Sequence, residues 1–200
     1  MVGVITPWNY PLALTVLDVM PALAAGNAVV QKADNQTALT TLFARHLAVE
    51  AGIPNDAYTV VVGDGPIVGN TITDHVDYVA FTGSSTTGRI VAQRAAGRLI
   101  GFSLELGGKN PHIIFENSNV DAAIDNAVTG AFLHSGQVCS AGTRVLVEKT
   151  IHDRVVTEIV RRAKAIYVGG PDDAKTETGP LISKEHLAKV ETYMQDAVKD

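Results

Sequence analysis

Cysteine is almost missing from this chain: Cys139 is the only one in 200 residues. No disulfide can form within the chain, which agrees with a reducing compartment and leads us to expect a cytoplasmic protein. Aromatic residues make up only 6%, and the 16 Lys and Arg are scattered without a basic run under a formal net charge of −5. Neither a phosphate-tracking surface nor a stacking platform results, so nucleic acid is not an expected partner. No apolar run reaches the roughly 18 residues a membrane span requires. Lysine and arginine are absent before Lys32, and Pro7 and Pro11 interrupt the opening segment, so no signal peptide is read. The histidines at 46, 75, 112, 134, 152 and 186 form no pair at metal-ligand spacing, and no metal site is expected.

What is present is 46% hydrophobic residues and 18% charge, enough to bury one or two cores. Strand and helix alternate. Strands are predicted over Val2–Thr6, Ala28–Lys32, Tyr58–Val62, Tyr78–Thr82 and Phe102–Leu106, with helices over Pro11–Ala25, Thr37–Ala51 and Ser85–Ala96 between them. This order argues for an α/β fold, a doubly wound and mostly parallel Rossmann-like sheet. Beyond Gly107-Gly108 the pattern restarts with a strand at His112–Glu116, a helix from Val120 to Leu133 and a strand at Arg144–Glu148. We therefore expect a dinucleotide-binding domain over 1–107 and the beginning of a second, catalytic α/β domain over 108–200. Thr150 to Asp153 reads as a capping-box start to a helix reaching Tyr167, and Ser183 as the cap of a last helix over Lys184–Lys199.

Two residues suggest covalent chemistry. Cys139 lies among small and polar neighbours in Gly136-Gln137-Val138-Cys139-Ser140, which suits a nucleophile; a free cysteine taken alone is more often an inert buried hydrophobe, and it is Cys139 together with Glu105 that points to chemistry. Glu105 interrupts the apolar strand Phe102–Leu106 beside Gly107 and Gly108. A carboxylate in a strand that otherwise reads as buried is expensive and fits a general base. His134, five residues before Cys139, leaves a thiol hydrolase open as another reading.

The turn Phe81-Thr82-Gly83-Ser84-Ser85-Thr86-Thr87-Gly88 joins a strand to a helix, where backbone N–H groups and the helix dipole make an anion site; an ordinary capped turn is the alternative. Gly63-Asp64-Gly65-Pro66-Ile67-Val68-Gly69 nearly matches a dinucleotide fingerprint, but its last glycine falls one residue late and Pro66 removes a donor. It reads as a turn near a ligand at most. At the end of the second strand, where an acidic residue commonly holds a ribose, this chain has Lys32-Ala33-Asp34-Asn35. A lysine there can bond ribose hydroxyls or a 2′-phosphate, or simply be solvated.

Four segments together resemble the aldehyde dehydrogenase superfamily: Thr6-Pro7-Trp8-Asn9-Tyr10-Pro11, Phe81-Thr82-Gly83-Ser84, Leu104-Glu105-Leu106-Gly107-Gly108-Lys109 and Gly136-Gln137-Val138-Cys139. Within it, the run from Gly101 to Asn110 is most similar to succinate-semialdehyde dehydrogenases. The resemblance implies an NAD(P)-dependent oxidoreductase that turns an aldehyde into a carboxylic acid through a thiohemiacetal and a thioester. Cys139 would be the nucleophile, Glu105 the base that activates water, and Asn9 the oxyanion donor. Trp8, Asn9, Lys32, Asn35, Gly83, Ser84 and Leu106 would line the cofactor site.

Many members of that family have proline after the lysine and glutamate three residues beyond it, where this chain has Ala33 and Asn35. NADP is therefore expected to be accepted at least as readily as NAD, unless Asp34 points inward. The resemblance also implies a small-molecule aldehyde substrate, a homo-oligomer at full length, and no membrane partner. Relative to the family pattern the chain looks like an internal fragment, which is not expected to complete a catalytic cycle unaided. A non-catalytic protein that kept the fold is the remaining alternative.

Overall fold

The computed structural model describes residues 1–199 and separates into two compact units, Met1–Gly107 and Gly108–Asp200. In the first unit the elements run β1 (Val2–Ile5), α1 (Pro11–Ala24), β2 (Val29–Lys32), α2 (Ala38–Glu50), β3 (Tyr58–Val61), α3 (Gly65–His75), β4 (Tyr78–Gly83), α4 (Ser85–Gly97) and β5 (Gly101–Leu106). Every strand pair is parallel and the order across the sheet is β3-β2-β1-β4-β5. The fold is the doubly wound α/β arrangement, with the strand order reversing between β1 and β4.

The central strands are apolar at successive positions because both faces are covered. Val4 and Ala80 turn to one core with Val19 of α1, Ala48 of α2 and Tyr58. Their neighbours Ile5, Val79 and Phe81 turn to the other, with Ile72 of α3 and Val91 and Ala95 of α4. Gly3 sets how closely α3 approaches: a Cβ there would lie 2.5 Å from Ile72 Cγ2, so the helix rests on bare strand backbone.

Three helices end alike. After α1, Gly26 N–H donates to Leu23 O and Asn27 N–H to Ala22 O, which is the Schellman arrangement, and Gly26 supplies the positive φ of 81°. Gly52 does the same after α2. After α4 the left-handed residue is Leu99, with φ 57° and a side chain 95% exposed. Its Cβ strain gains nothing from packing, so Leu99→Gly is expected to stabilise the protein by roughly 0.5–1 kcal/mol. Calorimetry should show Tm raised by about 1–4 °C; an unchanged or lowered Tm would show that the turn holds no strain.

Two sequence expectations give way. The Gly63–Gly69 segment is not a turn, because Gly65 opens the 11-residue helix α3, with the Asp64 side chain accepting from Ile67 N–H and proline in the first turn. The strand carrying Glu105 is not buried. As β5 it is the sheet's edge strand within this unit, and Glu105 is exposed.

The second unit has β6 (Pro111–Ile114), α5 (Val120–Phe132), β7 (Arg144–Val147), α6 (His152–Ala165) and α7 (Lys184–Lys199). β6 and β7 pair in parallel, and Ile114, Val120, Ile124, Ala127 and Val155 form its core. Asn119 caps α5 through Ala122 N–H, and Ser183 caps α7 through His186 N–H. The expected capping box at Thr150 is absent: its hydroxyl donates to Glu116 Oε2, and α6 begins at His152, ending at Ala165 rather than Tyr167. Among the described residues no helix is long and apolar enough to cross a membrane.

Candidate functional site

The carboxyl ends of β1, β2 and β4 open onto a cavity of about 460 Å³ in the first unit. It lies where the strand order reverses, the usual ligand position in an open parallel sheet. Ile5, Thr6 and Trp8 enter its wall from β1 and the following loop, Lys32 and Asp34 from the end of β2 and the residues after it, and Phe81, Gly83 and Ser84 from β4 and the turn that follows. Gly83 is needed because a Cβ there would meet the Phe81 ring at 2.6 Å.

Two helices point their amino ends at this space. Gly65 and Pro66, the first residues of α3, line it, as do Ser84 and Thr87 at the start of α4. Ser84 caps α4: its hydroxyl accepts from Thr87 N–H at 3.2 Å and donates to Thr87 Oγ1 at 3.0 Å. The earlier N–H groups of such a turn have no helical acceptor, and both dipoles carry their positive ends there. Lys32 adds a full cation and is only 6% exposed, so it belongs to the wall and not to a solvated strand end.

Phosphates therefore find a cation, two helix amino ends and hydroxyls, while Trp8, Ile5, Phe81, Val91 and Pro66 supply apolar area for a base. The residues present fit the adenosine diphosphate half of a dinucleotide. Asp34 also lines the cavity, one carboxylate oxygen accepting from Gln36 N–H at 2.9 Å. Asn35 is not in the wall; its Oδ1 accepts from Gly63 N–H at 3.2 Å and ties the end of β2 to the end of β3. Leu106 packs instead beneath Gly88, where a Cβ would lie 2.6 Å from its Cδ2. Asn9 follows Trp8 and does not itself line the cavity.

Beneath this floor lies a buried polar network. Gln31, 0% exposed, donates to Thr6 Oγ1 at 3.0 Å and Thr15 Oγ1 at 2.9 Å, and accepts from the Tyr58 hydroxyl. Thr15 in turn donates to Pro11 O. Both ends of the Thr6–Pro11 loop, which carries Trp8 and Asn9, are thus held from below. Burial pushes the Tyr58 hydroxyl well above its ordinary pKa, more than Arg45 lowers it.

Glu105, also in the first unit, has a carboxylate neighbour in Asp18 of α1. Burial, and then the Glu105 charge, raise the Asp18 pKa. A carboxyl group with a raised folded-state pKa binds its proton more tightly when folded, so its contribution favours the native state at acid pH. That contribution fades as pH rises through the unfolded and then the folded pKa. Asp18→Asn is accordingly expected to flatten the fall of Tm between about pH 4 and pH 7, and an unaltered Tm profile would count against the pairing.

Cys139 belongs to the second unit, in an exposed loop between α5 and β7. Its carbonyl accepts from Asn110 Nδ2 at 2.8 Å. Upstream, His134, Ser135 and Gly136 adopt positive φ values of 54°, 57° and 74° in succession. Two consecutive left-handed non-glycine residues cost on the order of 1–2 kcal/mol each. The surroundings hold them: Ser135 N–H donates to Thr178 Oγ1 at 2.8 Å, and the Ser135 hydroxyl bonds Thr178 Oγ1 at 3.0 Å and donates to Gly179 O. Gln137, buried, donates to His134 O at 3.0 Å and accepts from Ile182 N–H at 2.9 Å.

Of the residues singled out in the sequence, the structure gathers Trp8, Lys32, Gly83 and Ser84 at one cavity. It adds Asp34, Pro66, Asn70 and Thr87, of which Asp34 lay beside Lys32, Thr87 in the Phe81–Gly88 turn and Pro66 in the Gly63–Gly69 segment, while Asn70 carried no signal. Ser135, Thr178 and Ile182 carried none, since their pairing spans more than 40 residues.

Known proteins share this plan. A family model described as "Aldehyde dehydrogenase family" matches residues 1–200. The betaine aldehyde dehydrogenase of Bacillus subtilis is 46% identical over 99% of this chain, which spans 41% of that protein. A Mycolicibacterium smegmatis protein, provisionally named a succinate-semialdehyde dehydrogenase [NADP(+)], is 42% identical over 98% of this chain and 38% of its own length. The crystal structure of Staphylococcus aureus betaine aldehyde dehydrogenase in complex with NAD+ superposes with a TM-score of 0.94 at 43% identity, covering 97% of this chain and 39% of that one. An aldehyde dehydrogenase from Bacillus cereus gives a TM-score of 0.96 at 40% identity, covering 99% and 41%. The chain thus spans about two fifths of the relatives it matches, and a match over every residue shows that it belongs to the aldehyde dehydrogenase family.

Proposed function

We propose that the protein oxidises an aldehyde to a carboxylic acid with NAD+ or NADP+. The observation that carries this reading is the cavity at the sheet's reversal point, with Lys32, two helix amino ends and Trp8 in its wall, in a chain of this family. Bound there, the cofactor supplies a nicotinamide ring that accepts hydride. The Cys139 thiolate attacks the carbonyl carbon, and the Asn9 amide donates to the oxygen that gains charge. Loss of hydride leaves a thioester. Glu105 takes a proton from water as that water attacks it, releasing the acid and restoring the thiol.

The wall at the end of β2 holds Lys32 and Asp34 side by side, a cation for a 2′-phosphate and a carboxylate for ribose hydroxyls. Both cofactors are used on this reading, the Asp34 carboxylate in the wall offsetting the preference for NADP that Lys32 and Asn35 alone would give. The relatives support each: one carries NADP(+) in its name and another was crystallised with NAD+. Titrating either cofactor into the chain should quench Trp8, the only tryptophan. Asp34→Asn removes one repulsive charge and is expected to shift the affinity ratio towards NADP by about five- to tenfold. Absence of quenching by both cofactors would overturn the assignment of the cavity.

For the substrate we propose succinate semialdehyde, supported by the Gly101–Asn110 run and by relatives bearing that name. Betaine aldehyde, named in a relative of slightly higher identity, has the opposite charge. Comparing kcat/KM of the full-length protein for the two with each cofactor decides between them, and a preference for betaine aldehyde would refute the proposal. A cytoplasmic location, and assembly of the full-length protein from copies of itself, belong to the same proposal and are supported by the single cysteine and the family.

A further inference from the structure

We propose that Thr178 and Gln137 are positioning residues for Cys139: the segment 178–182 clamps the left-handed run His134–Gly136 and thereby fixes where the thiol is presented. The inference rests on the reading of Cys139 as the nucleophile, but its evidence is geometric.

Left to itself, a run of His, Ser and Gly would leave the left-handed region at its first two residues, because each has a Cβ that crowds its own backbone there. Here both stay, with φ 54° and 57°. Four contacts oppose their relaxation, and all come from, or bridge to, a segment more than 40 residues away. Thr178 Oγ1 accepts Ser135 N–H and bonds its hydroxyl, Gly179 O accepts that hydroxyl, and Gln137 Oε1 accepts Ile182 N–H. Gln137 closes the motif locally through His134 O, using both the N–H of its backbone and its Nε2. The amide of Gln137 is therefore a link with one end on the strained turn and the other on the clamp.

Cys139 follows two residues after Gln137, and its own carbonyl is fixed by Asn110 Nδ2. Between these anchors only Val138 intervenes, so the direction of the backbone into Cys139 follows from the clamp. Strain of this kind persists where surrounding structure over-determines it. Releasing Thr178 removes the acceptor for Ser135 and lets the run relax towards ordinary backbone angles, carrying the thiol with it.

The test uses the chain itself and its one thiol. Cys139 is alkylated with bromotrifluoroacetone, whose fluorine resonance reports how many environments the side chain samples, and hydrogen exchange is followed in residues 133–142. Thr178→Val keeps the side-chain shape and removes the hydroxyl. It is expected to split or broaden the single fluorine line and to lower exchange protection across 133–142 by about fivefold to tenfold, the loss of one or two hydrogen bonds. Thr178→Ser should restore both. A role confined to the fold of the 178–182 segment would change protection there without altering 133–142 or the fluorine line, and that result overturns the proposal. Should Thr178→Val fail to fold, Gln137→Glu keeps the acceptor for Ile182 and loses the donor to His134 O, with the same expected and contrary outcomes. No aldehyde is involved in these readouts, so their failure is distinct from a failure of Cys139 to react with one.

Discussion

Any aldehyde-dependent reduction of NAD+ or NADP+ that the protein supports is expected to fall by a factor of about 10⁴ to 10⁶ in Cys139→Ala, the usual scale for deleting a covalent nucleophile. No second thiol exists to take over. The cavity that carries Trp8 and Lys32 belongs to the other compact unit, so quenching of Trp8 by cofactor should persist in the variant and separate lost chemistry from lost binding. His134→Ala is the informative companion. A thiol hydrolase that uses His134 as its base would lose activity with it and ignore added cofactor. The dehydrogenase reading expects His134→Ala to retain cofactor-dependent turnover far above that of Cys139→Ala. Substantial turnover by Cys139→Ala would sink the assignment.

The second large effect concerns stability. Gln31→Leu preserves volume but strips the buried network of its centre: the Tyr58 hydroxyl loses its acceptor, and Thr6 and Thr15 lose a donor, all of them buried residues. Stranding groups of this kind is expected to cost about 2–4 kcal/mol, lowering Tm by roughly 4–16 °C in a chain of this size. Tyr58→Phe removes one member and should cost about 1–3 kcal/mol. Because Gln31 holds both ends of the Trp8 loop, the Trp8 emission of Gln31→Leu should also shift at temperatures below its main transition. A melting curve coincident with that of the unaltered protein would mean that the network contributes nothing net.

Much of the architecture was legible because its causes are local. Apolar β-branched strands, glycine at helix ends and a serine at the start of α4 each act within a few residues, and they place Gly83, Ser84, Lys32 and Trp8 at strand ends, where a parallel sheet opens its cavity. The misreadings have non-local or mixed causes. The first turn of α3 is rich in glycine and proline, which reads as a turn; the overlooked signal was Asp64 before Gly65-Pro66, a cap followed by a residue suited to a first helical turn. Exposure of Glu105 depends on β5 standing at the edge, which follows from strand order and not from the composition of the strand. Thr150 had the form of a cap but found Glu116 instead. The left-handed pair His134 and Ser135 carries no glycine to announce it, and its support comes from Thr178 and Ile182.

The parallel ladder also governs the order in which the chain acquires structure as it leaves a ribosome. β1 is flanked by β2 and β4, and the second of these neighbours is not complete until Gly83 has emerged. At about 5–20 residues per second, the strand that forms the middle of the sheet waits several seconds with one side open, its Ile5 face uncovered. A nascent chain stalled before Tyr78 would offer that side to any extended segment nearby, so until β4 emerges a holding chaperone has an open strand edge to protect.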